Sequence, residues 1–355
     1  MNEPTAFIYT ANPARVVFGA NSLALLEGEM ARLGAQRALL LSTPGQRALA
    51  QGLVERLGER AAGLFDGARM HVPREVALEA IDAATRVRAD CVVAVGGGST
   101  IGLGKAIALE SGLPVVAVPT TYAGSEMTPI YGITADGLKR TGSDPRVLPR
   151  AVIYDPTLTL GLPVGVSITS GINAIAHAAE GMYARDSNPV MRVLAEEGIR
   201  ALASGLPAIH RQAQDLEART RALYGAWLCG TVLGHVGMAL HHKLCHTLGG
   251  SFGLPHAEVH TVVLPHALAY NRSHAPEAMA GIARAMNAAD APHAVYALAR
   301  DHGAPVALRE IGMNERDLDR AAELAMASPY WNPRPLEHHA IRQLLQAAFE
   351  GRSPG

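Results

Sequence analysis

The sequence predicts an α/β domain built on a doubly wound parallel sheet over residues 1–160, followed by an all-helical domain over residues 161–355. Two patterns carry this reading. Short apolar, β-branched runs alternate with amphipathic helical stretches as far as about residue 160. Beyond that point strand patterns stop, and segments rich in Ala, Leu, Glu and Arg fill the rest of the chain. With 355 residues, 48% hydrophobic and 18% charged, the chain can bury one large core or two smaller ones. An extended, structureless chain is excluded.

Taken in order, strands are expected at Ala38–Leu41, Cys91–Val95, Val115–Val118 and Ala151–Asp155, the last followed by Pro156 and by Leu162-Pro163. Gln46–Arg60 and Val76–Val87 carry apolar residues at helical spacing after turns containing Pro or Gly. In the second half, helices are expected over Ile172–Tyr183, Pro189–Leu202, Asp215–Leu233, 235–248 and several further segments towards Phe349. No fixed-period repeat is present, and the tail Gly351–Gly355 reads as frayed.

Charge and cysteine usage narrow the function classes. Lys plus Arg number 31 against 32 Asp plus Glu, a net charge of -1, so no basic footprint for nucleic acid or anionic lipid exists. The three cysteines, Cys91, Cys229 and Cys245, are widely spaced and read as unpaired thiols in a reducing compartment. The first 19 residues lack a basic segment followed by an apolar one, and no apolar run is long enough to span a membrane. A soluble, cytoplasmic protein is expected.

Two loops carry an anion-binding pattern. The strand ending at Val95 runs into Gly96-Gly97-Gly98-Ser99-Thr100 and then a helical segment. Such glycines let backbone approach a diphosphate, while N–H groups at the helix start point at the anion. A bare triple glycine is equally a tight strand-to-helix turn. The next strand leads into Pro119-Thr120-Thr121-Tyr122-Ala123-Gly124-Ser125-Glu126, which would open at the same carboxyl edge of the sheet, where open α/β sheets bind ligands. The pair of loops favours a nucleotide over two coincidental turns. Taken singly, Thr120 and Thr121 also read as helix-capping hydroxyls.

Seven of the 15 histidines fall at 177, 210, 235, 241, 242, 246 and 256. On a helix His242 and His246 share a face, as do Asn173 and His177. Imidazoles converging on a pocket serve as metal ligands or proton carriers. His210 and His235 read equally as ordinary interior or surface histidines.

As a set, these motifs resemble the iron-containing (group III) alcohol dehydrogenase superfamily. The resemblance rests on Val17-Phe18-Gly19, Gly96-Gly97-Gly98-Ser99, Pro119-Thr120-Thr121, Gly124-Ser125-Glu126, Asp155-Pro156, the 171–181 helix, the 242–256 histidines, Leu264-Pro265-His266 and Asn332-Pro333-Arg334. It implies an N-terminal dinucleotide-binding domain of the dehydroquinate synthase-like type, an all-helical catalytic domain and a homodimer. Its four metal-ligand positions, an Asp and three His, fall on Asn173, His177, His242 and His256, with His246 as an additional active-site histidine. Asn in place of Asp removes the only anionic ligand, so the resemblance predicts weakened binding of iron or zinc. Gly102 stands where the family has Asp, while Lys105 is kept. Thr43 stands where the family's ribose-contacting Asp lies. Without that carboxylate a 2′-phosphate is not repelled, so NADH and NADPH are both expected.

These departures resemble one branch, the maleylacetate reductases, which reduce a carbon–carbon double bond of a dicarboxylate in the degradation of aromatic and chloroaromatic compounds. The resemblance implies cofactor contacts from Thr43, Gly96, Gly97, Gly98, Ser99, Thr120, Thr121, Ser125 and Lys139. It assigns proton delivery or enolate stabilisation to His242 and His246, with His177 and His256 shaping the pocket beside Asn173. Candidate partners for the substrate carboxylates are Lys243 and Arg334, and Tyr122 is a candidate hydrogen-bond donor. Each has a second reading: Lys243 solvated on the other helix face, Arg334 paired structurally, Tyr122 packed in its loop, and Lys139 exposed. The alternative functions are a metal-dependent alcohol or polyol dehydrogenase and, from another class, a metal- or nucleotide-binding module without activity.

Overall fold

The structure, a computed structural model, describes residues 7, 9–11, 15–135 and 138–355, with the backbone alone at 138 and 139. The chain divides into two compact units, Ala11–Leu162 and Met1–Thr10 together with Pro163–Gly355.

The first unit is an α/β layer structure. Strands β1 (Arg15–Phe18), β2 (Ala38–Leu41), β3 (Ala61–Phe65), β4 (Cys91–Gly96), β5 (Val115–Pro119) and β8 (Ala151–Tyr154) form one sheet in the order β1-β8-β5-β4-β2-β3. Every pairing in it is parallel. Helices α1 (Leu26–Arg32), α2 (Arg47–Leu57), α3 (Arg74–Arg86) and α4 (Gly98–Ser111) make the crossovers. The residues of β2, β4, β5 and β8 are all buried, as strands covered on both faces must be, and their sequences are continuous apolar runs for that reason.

Four strands escaped the sequence reading. Edge strands β1 and β3 are half-exposed, and β3 is Ala-Ala-Gly-Leu-Phe, with no β-branched residue. The antiparallel hairpin of β6 (Ile130–Ala135) and β7 (Leu138–Ser143) lies outside the parallel rhythm. The Asp155-Pro156 motif is structural. Asp155 Oδ1 and Oδ2 accept the N–H groups of Asn21 and Leu23, tying the end of β8 to the turn after β1.

β2 connects outward to β3 and β4 connects outward to β5, so the order reverses between β2 and β4. The loops after these strands open at that switch point, the place where open α/β sheets bind ligands.

Nine helices make up the described part of the second unit: α5 (Val164–Tyr183), α6 (Pro189–Arg211), α7 (Leu216–Leu233), α8 (Leu240–Phe252), α9 (His256–Asn271), α10 (Pro276–Ala285), α11 (Ala291–Asp301), α12 (Leu318–Met326) and α13 (His338–Glu350). From Ser167 to Tyr183 every residue of α5 is buried, which makes it the central helix of the unit. A separate core, with Leu244, Leu248, Val259, Val263, Leu318 and Leu345, joins α8, α9, α12 and α13.

One helical expectation is corrected here. Residues 234–239 are a turn rather than the first turn of α8, which begins at Leu240. Gly237 N–H donates to Asp186 Oδ1 at 2.9 Å and holds the chain out of helical geometry. His235 therefore does not share a helix with His242; its ring stacks on Tyr9 at 5.6 Å.

Helices α6 and α7 cross with backbone in near contact. A Cβ on Gly225 would lie 2.8 Å from the Gly198 carbonyl oxygen and 3.0 Å from Leu202 N, neither of which can yield as a side chain would. Gly225→Ala should therefore destabilise the protein by about 1–3 kcal/mol. Thermal melting checks this, at roughly 2–4 °C of Tm per kcal/mol; an unchanged Tm would show that the crossing can relax.

Candidate active site

In the α/β unit three loops converge above the switch point. Gln46 Nε2, after β2, donates to Thr120 Oγ1, after β5, at 2.6 Å. Between them lies the glycine loop after β4. A Cβ on Gly96 would meet Thr100 Oγ1 at 2.4 Å and Gln46 Oε1 at 2.7 Å, and one on Gly97 would meet Thr121 Oγ1 at 2.9 Å. Only glycine leaves that backbone open, and α4 begins at Gly98 with its N–H groups uncapped by any side chain. This is the geometry a diphosphate requires. Thr43 opens the short turn 44–46, and Gly124, at φ +76°, opens the turn 125–127.

Lys105 anchors the second loop. Its ammonium is fully buried and donates to the carbonyl oxygens of Ser125, Thr128 and Ile130 and to Thr128 Oγ1 at 2.6–3.0 Å. Burial pulls its pKa down to about 7, against the opposing charge of Glu126. Glu126, pushed up by burial, accepts from the Tyr154 hydroxyl at 2.8 Å. Tyr122 is fully buried in the same loop, so it lies inside its unit as a packed aromatic. The side chain of Lys139 lies outside the described residues.

The helical unit assembles the imidazoles. Asn173, His177 and Glu180 recur at intervals of four and three on α5 and so share one face. α8 contributes His241, His242, Cys245 and His246, and α9 contributes His256 and His260. Glu180, wholly buried, joins the two sets. Its Oε2 accepts from His242 Nδ1 at 2.7 Å and from Ala239 N at 2.9 Å; its Oε1 accepts from His241 N at 2.8 Å. Burial alone would raise its pKa, but the hydrogen bond and charge of His242 with the α8 N–H groups win and hold it at about 2. The other nitrogen of His242, Nε2, meets His177 Nδ1 at 2.8 Å.

A second pair backs the first. His241 Nε2 and His260 Nδ1 are 2.9 Å apart and fully buried. Burial holds His241 down to about 3 and His260 well below the usual histidine range, so both stay neutral. His256 stacks edge-on against His260 at 4.5 Å, and His246 is exposed at 6.2 Å from His242. Lys243, half-buried, holds its ammonium 5.8 Å from the Tyr330 ring centre. Arg334 stacks on the Tyr270 ring at 4.1 Å and donates to the Tyr270 carbonyl at the end of α9.

The sequence reading counted His241 among the clustered histidines without giving it a role, and it missed Glu180, His260 and Gln46. For Glu180 a signal existed: it is the only charged residue of the 20 in α5, and a single charge on a helix apolar all round needs a buried partner.

The donor set does not fit a divalent cation at the family's ligand positions. Three neutral imidazoles and a neutral amide supply no anion, and His177 and His242 spend facing nitrogens on each other. Among the described residues, the group of His, Cys or carboxylate side chains with ligand atoms drawn together is instead His241, Cys245 and His260.

The α/β sheet with its phosphate-type loops and the buried imidazole cluster define a nucleotide-dependent oxidoreductase. Residues 13–156 match the iron-containing alcohol dehydrogenase profile, and residues 167–349 match the C-terminal profile of the Fe-containing alcohol dehydrogenase family. The chain belongs to the iron-containing alcohol dehydrogenase family. Within that family it is similar to the maleylacetate reductase of Burkholderia cepacia, 59% identical over 349 residues, covering 98% of this chain and 99% of the relative. The crystal structure of maleylacetate reductase from Rhizobium sp. strain MTP-10005 superposes with a TM-score of 0.95 at 55% identity, covering 99% of this chain and 100% of that one. A crystal structure from Ralstonia eutropha JMP134, provisionally ascribed to an alcohol dehydrogenase, gives 0.98 at 66%, with the same coverage. Among the described residues no helix is long and apolar enough to cross a membrane.

Neutral burial of His241 has a pH signature. Between its folded value of about 3 and the ordinary histidine value near 6.5, the unfolded chain binds the extra proton, so stability falls as pH falls through that window. Tm should drop from pH 7 to pH 5, and by less in His241→Gln. An equal drop in both proteins would mean that other groups carry the effect.

Proposed function

We propose that this chain reduces the carbon–carbon double bond of maleylacetate, 4-oxohex-2-enedioate, to 3-oxoadipate with NADH or NADPH. The observation that carries the reading is the near-full-length similarity to maleylacetate reductases. Asn173 at the position of the family's anionic ligand fits it too. An alkoxide on an unactivated alcohol gains much from a Lewis acid, whereas an enone carries its own electron sink.

The bound nicotinamide supplies the hydride. The glycine loop 96–98, with Ser99 and the uncapped start of α4, holds the diphosphate. Thr120, Thr121 and Ser125 line the adjoining loop, and Lys105 fixes that loop in place. Thr43 leaves the ribose side open to a 2′-hydroxyl or a 2′-phosphate, so both cofactors serve; Lys139 is proposed as a ribose contact. Hydride addition at the carbon β to the ketone drives charge onto the ketone oxygen, and a hydrogen-bond donor there lowers the barrier. His246 and the His242–His177 pair supply that donor and the proton for the α carbon. Asn173 lies beside these imidazoles, and its amide N–H group can donate to an oxygen of the bound substrate. His256 shapes the pocket, and Lys243 and Arg334 are the cations proposed for the carboxylates. In this reading the enzyme is a cytoplasmic homodimer serving the degradation of aromatic and chloroaromatic compounds.

Chelator-treated, metal-free protein should consume NADH with maleylacetate, and His246→Ala should cut kcat far more than cofactor affinity. Turnover that returns only with iron or zinc would contradict the cation-free site. No turnover under either condition, with activity on alcohols, would favour a metal-dependent alcohol dehydrogenase.

A further inference from the structure

The turn from β2 into α2 reaches loops on both of its sides. Towards β4 and β5, Gln46 Nε2 donates to Thr120 Oγ1 at 2.6 Å, and Gln46 Oε1 lies 2.7 Å from where a Cβ on Gly96 would stand. Towards β3, Arg47 Nη1 donates to Asp66 Oδ2. The same turn therefore borders the glycine loop and carries an ion pair on its far side. Backbone holds Asp66 in this place. Ser42 N–H donates to the Phe65 carbonyl at 3.0 Å, and Ala68 N–H donates to the Ser42 carbonyl at 3.1 Å, so the segment with Asp66 is tied to the end of β2 from both ends.

A diphosphate on the glycine loop puts a ribose over the end of the neighbouring strand. In open α/β dinucleotide sites an acidic residue there accepts from the ribose 2′-hydroxyl, and an Arg nearby takes a 2′-phosphate. Here β2 runs out into Ser42-Thr43, which carries no charge. Both charges stand just beside it, the carboxylate brought by the end of β3 and the guanidinium by the first residue of α2. Their side chains are 33% and 64% exposed, so both can meet a ligand. An ion pair so exposed adds little to stability.

We propose that the Arg47–Asp66 pair is the element that reads the adenosine ribose of the cofactor. With NADH, Asp66 accepts from the 2′-hydroxyl. With NADPH, Arg47 keeps Nη1 on Asp66, which cancels the repulsion of that carboxylate, and turns the rest of its fork of N–H donors to the 2′-phosphate. One pair thereby serves both cofactors without a rearrangement. The proposal rests on the dinucleotide reading of the glycine loop and is independent of which substrate is reduced.

Dissociation constants of NADH and NADPH, read from nicotinamide fluorescence of the full-length protein without substrate, test this. Arg47→Gln should weaken NADPH about tenfold and leave NADH within about twofold, because it removes the phosphate partner and leaves Asp66 uncompensated. Asp66→Asn should weaken NADH about tenfold and leave NADPH unchanged or tighter. Opposite shifts of the NADPH/NADH ratio are a result that mere loss of a surface contact would not produce. Arg69, exposed in the loop after β3, is the rival cation, and Arg69→Gln should leave the ratio where it is. A ratio unmoved by Arg47→Gln, a shift in the same direction in the Arg47 and Asp66 variants, or a shift confined to Arg69→Gln would overturn the proposal. A parent that binds neither cofactor would overturn it together with the dinucleotide reading. Opposite shifts in a protein that never turns over maleylacetate would refute the reductase reading and leave this pair's role standing.

Discussion

A carboxylate sealed inside a helical unit has to be met by donors from every side, and Glu180 imposes that demand on everything around it. Taking a charge out of water costs several kcal/mol unless hydrogen bonds replace the lost hydration. Here the replacement comes mostly from the start of α8, whose N–H groups and positive dipole end face the anion. Together with the Gly237–Asp186 hydrogen bond, this requirement places the start of α8 at Leu240 and directs His242 towards the anion. α5 can hold the charge in place because it is buried almost from end to end.

The α/β unit rests on a comparable device of opposite sign. The Lys105 ammonium, surrounded by three carbonyl oxygens and a hydroxyl, draws the loop after β5 and the root of the β6–β7 hairpin onto α4. The family's Asp one turn earlier has no room here. A Cβ on Gly102 would already lie 2.9 Å from Val72 Cγ2, so the replacement belongs with a repacked neighbour rather than a vacated site.

How much of this was legible in the sequence differs between elements. The central strands were visible because two-sided burial demands uninterrupted Val, Leu, Ile and Ala. Edge strands β1 and β3 meet that demand on one side only and leave a weaker trace. The Asn173–His177 spacing and the 242–256 histidines pointed to this cluster, and the resemblance to the family gave its members their expected roles. The pairing of His242 with His177 left no such trace, because it joins residues 65 apart on two different helices. Glu180 was passed over because a glutamate three residues after a histidine usually lies on a solvated helix face. Its isolation among apolar residues was the clue that separates the two cases.

The proposed reaction delivers hydride to the alkene carbon rather than to the carbonyl carbon, with the imidazoles providing the proton. The most direct test is to run the reaction with NADH deuterated at the transferred position and locate the label in the product by NMR. Deuterium on the methylene next to the distal carboxylate of 3-oxoadipate, with the ketone intact, is the predicted result. Deuterium on a newly formed carbinol carbon, with the double bond retained, would contradict it and return the chain to carbonyl chemistry.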